Sequence, residues 1–196
     1  MYIFGYGSLI NHQSRKLTGQ TGEALPAKVS GLVRSWGKVD GTYKIAPLVA
    51  VEGHGVCNGV LVPIQGIVLK DFDRREKGYR RIELDPTSLI VEGCDMPNVP
   101  VWAYVRSDVE PPCQVKPIMQ TYVDTVLAGC FSISQQFAKT FVETTSGWHH
   151  PLFDDRQQPR YGNYVGVSEN KQALIDSLVT DIRRDVSGIQ KNGKTE

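Results

Sequence analysis

Two short stretches carry the residue types that catalysis or tight binding would need. In Gly5-Tyr6-Gly7-Ser8-Leu9, two glycines in three residues let the chain turn sharply and present successive backbone N–H groups to an anion. A phosphate cradle, a serine nucleophile elbow and a clamp for an amino-acid carboxylate compete for such a loop. A phosphate loop needs four residues between its glycines and then Lys with Ser or Thr, whereas Leu9 and Ile10 follow Ser8 and no lysine comes before Lys16. A nucleophile elbow reads Gly-x-Ser-x-Gly, which Gly5-Tyr6-Gly7-Ser8 does not match. Taken alone, the pentapeptide serves equally well as a strand exit shaped by two glycines.

The second stretch is Asp71-Phe72-Asp73-Arg74-Arg75-Glu76-Lys77-Gly78-Tyr79. On a helix, Glu76 falls four residues after Phe72 and seven after Leu69, on the apolar face, while Arg74, Arg75 and Lys77 point elsewhere. A carboxylate free of a tight ion pair and set among apolar groups is suited to taking and returning protons. A solvated pair between Glu76 and Arg80 is the plainer alternative, and this stretch alone favours it.

Together, Phe4-Gly5-Tyr6-Gly7-Ser8-Leu9-Ile10 and Arg75-Glu76-Lys77-Gly78-Tyr79 resemble the γ-glutamylcyclotransferase superfamily, including its ChaC-like glutathione-degrading branch. The resemblance covers roughly residues 1 to 130 and includes Tyr122, where family members carry a substrate-site tyrosine. It implies that backbone amides of Tyr6, Gly7, Ser8 and Leu9 hold the substrate's α-carboxylate, that Glu76 is the general acid/base, and that Tyr122 touches substrate. A tyrosine facing a core serves packing as readily. The implied reaction turns a γ-glutamyl amide into 5-oxoproline and a released amine or amino acid, with no cofactor and no metal. The implied partner is a small γ-glutamyl molecule, and glutathione, a dipeptide and an amine all remain open. The implied fold is α+β, a small mixed β-barrel-like sheet with helices packed outside.

The elements that must position these residues begin as strands: 2–4, 27–39, 45–51 and 55–62, separated by Gly, Pro and Asn turn signals. A helix from Leu69 ends at Gly78, strands follow at 79–84 and 99–105, and 93–100 is a surface connection. Pro117 suits the first turn of a helix with the stripe Ile118, Tyr122, Val126 and Cys130, repeated by Ile133, Phe137 and Phe141. Residues 148–164 lack a period and read as a long ordered loop. Leu174, Leu178, Ile182 and Val186 mark a last helix opened by Ser168 and ended by Gly188. Strands first and helices later indicate one α+β domain over 1–188, with 189–196 a disordered tail.

Composition narrows the function classes. Among 196 residues, 22 Lys plus Arg offset 21 Asp plus Glu without a run of like charge, so neither nucleic acid nor a membrane surface is an expected partner. The apolar runs are too short to cross a bilayer, and the start lacks the basic and cleavage regions of a signal peptide, so a cytoplasmic location is expected. Cys57, Cys94, Cys113 and Cys130 form no Cys-x-x-Cys pair and read as inert thiols. Two rivals remain: a non-catalytic γ-glutamyl or amino-acid binding module, and a metal hydrolase on His149, His150, Asp154 and Asp155, whose spacing suits a shared metal poorly. Arg156 and Arg160 are candidates for a second substrate carboxylate, with a solvated loop as the plainer alternative.

Overall fold

The computed structural model describes residues 1–19, 22–37, 45–64, 69–93 and 98–192. Alternation of side chains organises its sheet. In β1 (Tyr2–Gly5), Tyr2 and Phe4 face one apolar cluster and Ile3 another, the period of two that a pleated strand imposes. β1 lies antiparallel to β3 (Leu48–Pro63) and parallel to β6 (Val101–Val105). β2 (Leu25–Trp36) pairs antiparallel with β3. β4 (Arg80–Glu83) lies against β6, and β5 (Leu89–Val91) against β2, giving the order β4-β6-β1-β3-β2-β5.

β4 and β5 do not pair with each other among the described residues, yet Leu84 and Leu89 share one apolar cluster with Phe4, Val29, Leu61 and Ala103. The sheet is therefore mixed and curls around its own side chains, barrel-like without a hydrogen-bonded seam. Its other face carries α3 (Gln120–Ile133), α4 (Gln135–Glu143) and α5 (Glu169–Asn192), packed over Leu48, Val60 and Val62. Within β3, Val60 and Val62 face the helices while Leu61 faces the inner cluster, so one strand serves two cores. Each such fully buried apolar side chain contributes about 1.5–3 kcal/mol. The α+β expectation is met. Among the described residues no helix is long and apolar enough to cross a membrane.

Several boundaries differ from the sequence reading for identifiable reasons. The two strands expected at 45–51 and 55–62 are one: Ser30 pairs with Val56 and Leu32 with Glu52, so Gly31, at φ +88°, opposes Gly53 to Gly55. The glycines mark an irregularity in a continuous ladder rather than a turn. Residues 38 and 39 of the expected second strand, and 94–97 of the expected connection, lie outside the described residues. Ile118 belongs not to a helix but to β7 (Ile118–Met119), which pairs parallel with β9 (Leu152–Phe153), so α3 starts at Gln120, while β8 (Thr145–Ser146) lies parallel to β2. On α5 the buried line runs through Ile175 and Val179, with Leu174 exposed. The helix also continues through Gly188 to Asn192, because one glycine costs only about 1 kcal/mol in a helix with tertiary support. Of the expected tail, 193–196 lie outside the described residues.

α3 is buried almost all round, polar residues included, and the 148–164 segment supplies their partners. Asp155, itself buried, accepts from the Thr121 amide at 2.8 Å, the Thr121 hydroxyl at 2.7 Å and the Arg160 amide at 2.8 Å. It thereby serves as a remote N-terminal cap for α3. Cys57 and Cys130 are buried free thiols, and burial pushes both of their pKa values up; Cys94 is outside the described residues.

Candidate active site

A cavity of about 240 Å³ opens where β1 ends, and its walls include Gly5 to Leu9, Glu76 and Tyr122. All six residues expected to bind or react, Tyr6, Gly7, Ser8, Leu9, Glu76 and Tyr122, border this one space.

Glycine at two points lets the loop take its path, strictly at Gly5 and with a tight contact at Gly7. A Cβ on Gly5 would lie 2.5 Å from the Leu9 Cβ, and one on Gly7 would lie 3.0 Å from the Tyr122 hydroxyl. Ser8–Ile10 then form a 3₁₀ turn in which the Ile10 amide donates to the Gly7 carbonyl at 3.0 Å and the Asn11 amide to the Ser8 carbonyl at 3.1 Å. The amides of Ser8 and Leu9 precede the first of these bonds and have no acceptor within the turn.

Four side chains pin the loop from behind. The Tyr6 hydroxyl donates to the Tyr104 carbonyl at 2.6 Å, and Asn11 Nδ2 donates to the Thr125 carbonyl of α3 at 2.7 Å. Arg15, in the short helix α1 (His12–Lys16), donates through Nη1 to the Leu9 carbonyl at 2.7 Å. Arg34 Nη1 reaches the Tyr6 carbonyl at 3.4 Å. Burial raises the Tyr6 and Tyr122 pKa values well above that of a free phenol, with lesser contributions from neighbouring tyrosines and Glu76. Both phenols are therefore neutral hydrogen-bond donors at physiological pH.

Because the Tyr122 hydroxyl stands where a Cβ on Gly7 would push, Gly7→Ala must shift either the loop or the phenol. If the cavity is catalytic, kcat/KM is expected to fall about 10- to 100-fold, the cost of displacing a positioning group by a fraction of an ångström to an ångström. Steady-state assays beside a thermal melt check this; unchanged kcat/KM would show that the loop is not a positioning element.

Glu76 lies one residue beyond α2 (Leu69–Arg75), in a turn that continues its hydrogen bonding. The Glu76 amide donates to the Phe72 carbonyl at 2.8 Å, and the Tyr79 amide donates to the Glu76 carbonyl at 2.9 Å. Gly78, at φ +93°, then turns the chain into β4. The expectation that Arg75 points away is overturned: Arg75 Nε donates to Glu76 Oε1 at 3.0 Å, with the guanidinium 4.8 Å from the Phe72 ring centre. The helix stops at Arg75, so a helical wheel no longer separates neighbours that converge at its end. Arg80, the alternative partner, pairs with Glu52 instead. The Arg75 and Glu76 side chains remain 35% and 23% exposed, so their pair is worth about 0–1 kcal/mol and exchanges readily with another cation.

Arg15, Tyr161 and Asn163 are among the cavity residues that the sequence did not single out. The Tyr161 ring lies 4.7 Å from that of Tyr122, so the 148–164 segment does reach the pocket. Helical periodicity could not announce a residue in an aperiodic loop. Arg156 is not available to substrate. Its Nε and Nη2 donate to Asp124 at 2.7 Å each, and Nη1 and Nη2 donate to Asp176 at 3.0 and 2.6 Å. Arg160 lies 4.7 Å over the Phe153 ring. Among the described residues, the cations on the cavity wall are Arg15 and Arg75. Asp155, one of the residues considered for a metal, is committed to α3, and among the described residues no three His, Cys, Asp or Glu are grouped to hold an ion.

No protein-family model and no curated protein matches this chain. Solved structures do. YkqA from Bacillus subtilis superposes with a TM-score of 0.55 at 18% identity, covering 73% of this chain and 53% of its own, so this chain spans about half the length of YkqA. A γ-glutamyl cyclotransferase superposes with a TM-score of 0.55 at 16% identity, covering 90% of this chain and 98% of that one. At these identities the likeness concerns backbone architecture, and the chain has the γ-glutamylcyclotransferase-like fold.

Proposed function

We propose that the cavity converts a γ-glutamyl amide or peptide to 5-oxoproline and a free amine or amino acid. The observation that carries this reading is the convergence of the Gly5 to Leu9 loop, Glu76 and Tyr122 on one cavity from three separate parts of the chain. The loop amides and the neutral Tyr122 hydroxyl are donors suited to the substrate's α-carboxylate. Glu76 takes a proton from the α-ammonium group, and the freed amine attacks the γ-carbonyl. A ring C–N bond forms, Glu76 returns its proton to the departing nitrogen as the original amide C–N bond breaks, and the second proton of the attacking nitrogen passes through the freed carboxylate to the released amine, which leaves as an ammonium. Nucleophile and electrophile belong to one molecule, so folding the glutamyl chain against the loop supplies much of the rate by orientation.

The test is release of 5-oxoproline by the purified protein from glutathione, γ-glutamyl dipeptides and γ-glutamylamines. Release from at least one class is expected. Binding without release from any class would replace this reading with a γ-glutamyl binding module, and neither binding nor release would remove it.

A further inference from the structure

Arg34, in β2, is completely buried, and among the described residues it meets no carboxylate. A buried cation is ordinarily matched by an anion, because removing it from water alone costs several kcal/mol. Here the acceptors are neutral. Nη1 donates to the Asn58 carbonyl at 2.5 Å and the Tyr6 carbonyl at 3.4 Å. Nη2 donates to Asn58 Oδ1 and the Phe141 carbonyl, both at 2.9 Å, and to Thr144 Oγ1 at 3.0 Å. Nε donates to Thr145 Oγ1 at 2.7 Å, and the guanidinium lies 3.6 Å over the Phe141 ring.

These groups solvate the charge without cancelling it. The Phe141 carbonyl and the Thr144 hydroxyl belong to the C-terminal end of α4, whose peptide dipoles amount to about half a negative charge, and Thr145 follows in the strand beside β2. Roughly half a positive charge is left uncompensated. It lies directly behind the loop, since Tyr6 immediately precedes Gly7. The contact also has a direction. A trans peptide holds its C=O and N–H antiparallel, so a Tyr6 carbonyl turned toward Arg34 sends the Gly7 N–H away from it, and Gly7 borders the cavity.

We propose that Arg34 is a positioning residue that supplies, from behind the loop, the countercharge for the anionic end of the ligand. The inference rests on the reading above, in which the loop takes the α-carboxylate of a γ-glutamyl substrate. The neutral shell around Arg34 thus leaves its charge for a carboxylate that arrives with the ligand.

The experiment compares binding of 5-oxoproline with binding of its uncharged carboxamide by ligand-observed NMR titration. Wild type, Arg34→Lys and Arg34→Gln are each checked for folding by circular dichroism. Wild type is expected to prefer the carboxylate about tenfold, the order expected of half a charge acting across one loop at an effective dielectric of about 20. Arg34→Lys should retain most of that preference, and Arg34→Gln should bring it to within about twofold of unity. A purely structural role would weaken both ligands alike. A folded Arg34→Gln protein with the full preference overturns the inference.

Should the glutamine variant not fold, two further measurements decide. A buried charge is little screened, so 0.5 M salt should leave the preference within about twofold, whereas a preference owed to the partly exposed Arg75 would collapse and overturn the inference. Arg15 is buried like Arg34, and loss of the preference in folded Arg15→Gln protein also overturns the inference. Equal wild-type binding of both compounds sinks this inference alone. Binding of neither, with no 5-oxoproline released from any substrate, sinks the functional reading as well.

Discussion

Glu76→Gln protein is expected to fold like wild type and to turn over a γ-glutamyl amide about a hundred to ten thousand times more slowly, the range that general acid/base catalysis typically contributes. The substitution keeps side-chain size and hydrogen-bonding ability while removing the ability to accept a proton. Its structural cost should be small, because Glu76 lies beyond the end of α2 and its hydrogen-bonded partner is the half-exposed Arg75. The Arg75 pair does not disqualify the carboxylate as a base. A pair worth about 0–1 kcal/mol is readily exchanged for the α-ammonium of a substrate, and until then it keeps the carboxylate oriented. The measurement is steady-state release of 5-oxoproline with a parallel thermal melt. The signature sought is a loss concentrated in kcat with KM changed by less than about tenfold, since an interaction made mainly in the transition state is being removed. Full activity in folded Glu76→Gln protein would reassign the proton-transfer role.

The largest expected effect on stability is at Arg156, where Arg156→Ala should cost about 3–5 kcal/mol. Asp124 on α3 is completely buried and receives two bonds from Arg156, beside one from Gln120 Nε2 at 2.9 Å. Removing the guanidinium leaves that carboxylate in the core with a single neutral donor. Arg156 also ties Asp176 of α5 to α3, so the variant loosens the packing of two helices. The hydrogen bonds that Arg156 donates to Asp124, then those to Asp176, raise its pKa above its already high ordinary value. A raised pKa stabilises the fold fully below the unfolded-state value, so the arginine's contribution is constant up to about pH 12 and lost only above it. Denaturant unfolding at constant slope measures the loss. The double variant Arg156→Met with Asp124→Leu should recover most of it, because apolar replacement of both partners of a buried pair is often neutral. A loss under about 1 kcal/mol for Arg156→Ala would show that the pair does not organise the helix layer.

The two predictions separate chemistry from scaffold, and they differ in how far their residues could be read in advance. Glu76 was legible because its placement is local. The spacing from Leu69 and Phe72 puts it on the apolar side of one turn of chain, and that survives although the helix stops at Arg75. Arg156, a candidate for substrate with a solvated loop as the plainer alternative, is neither, because both its partners come from other elements. α5 shows the same limit in milder form: its amphipathic character was plain, but whether Leu174 or Ile175 is buried depends on how the helix is rotated against α3 and α4.

By itself, the sequence determined the local features of the Tyr6 to Leu9 loop and Glu76: a turn that needs glycine, a carboxylate on the apolar side, and strands whose alternation presents two faces. These follow from covalent geometry and short-range periodicity, which a run of a few residues contains in full. Only the tertiary structure decided that Arg75 contacts Glu76, that Arg15 and Tyr161 wall the cavity, and that Arg34, which meets no carboxylate among the described residues, lies behind Tyr6. Asn11 meets the Thr125 carbonyl across 114 positions, and Arg34 meets Thr145 across 111. Such partners are chosen by how the curled sheet and helix layer close on each other, and no local repeat encodes that choice.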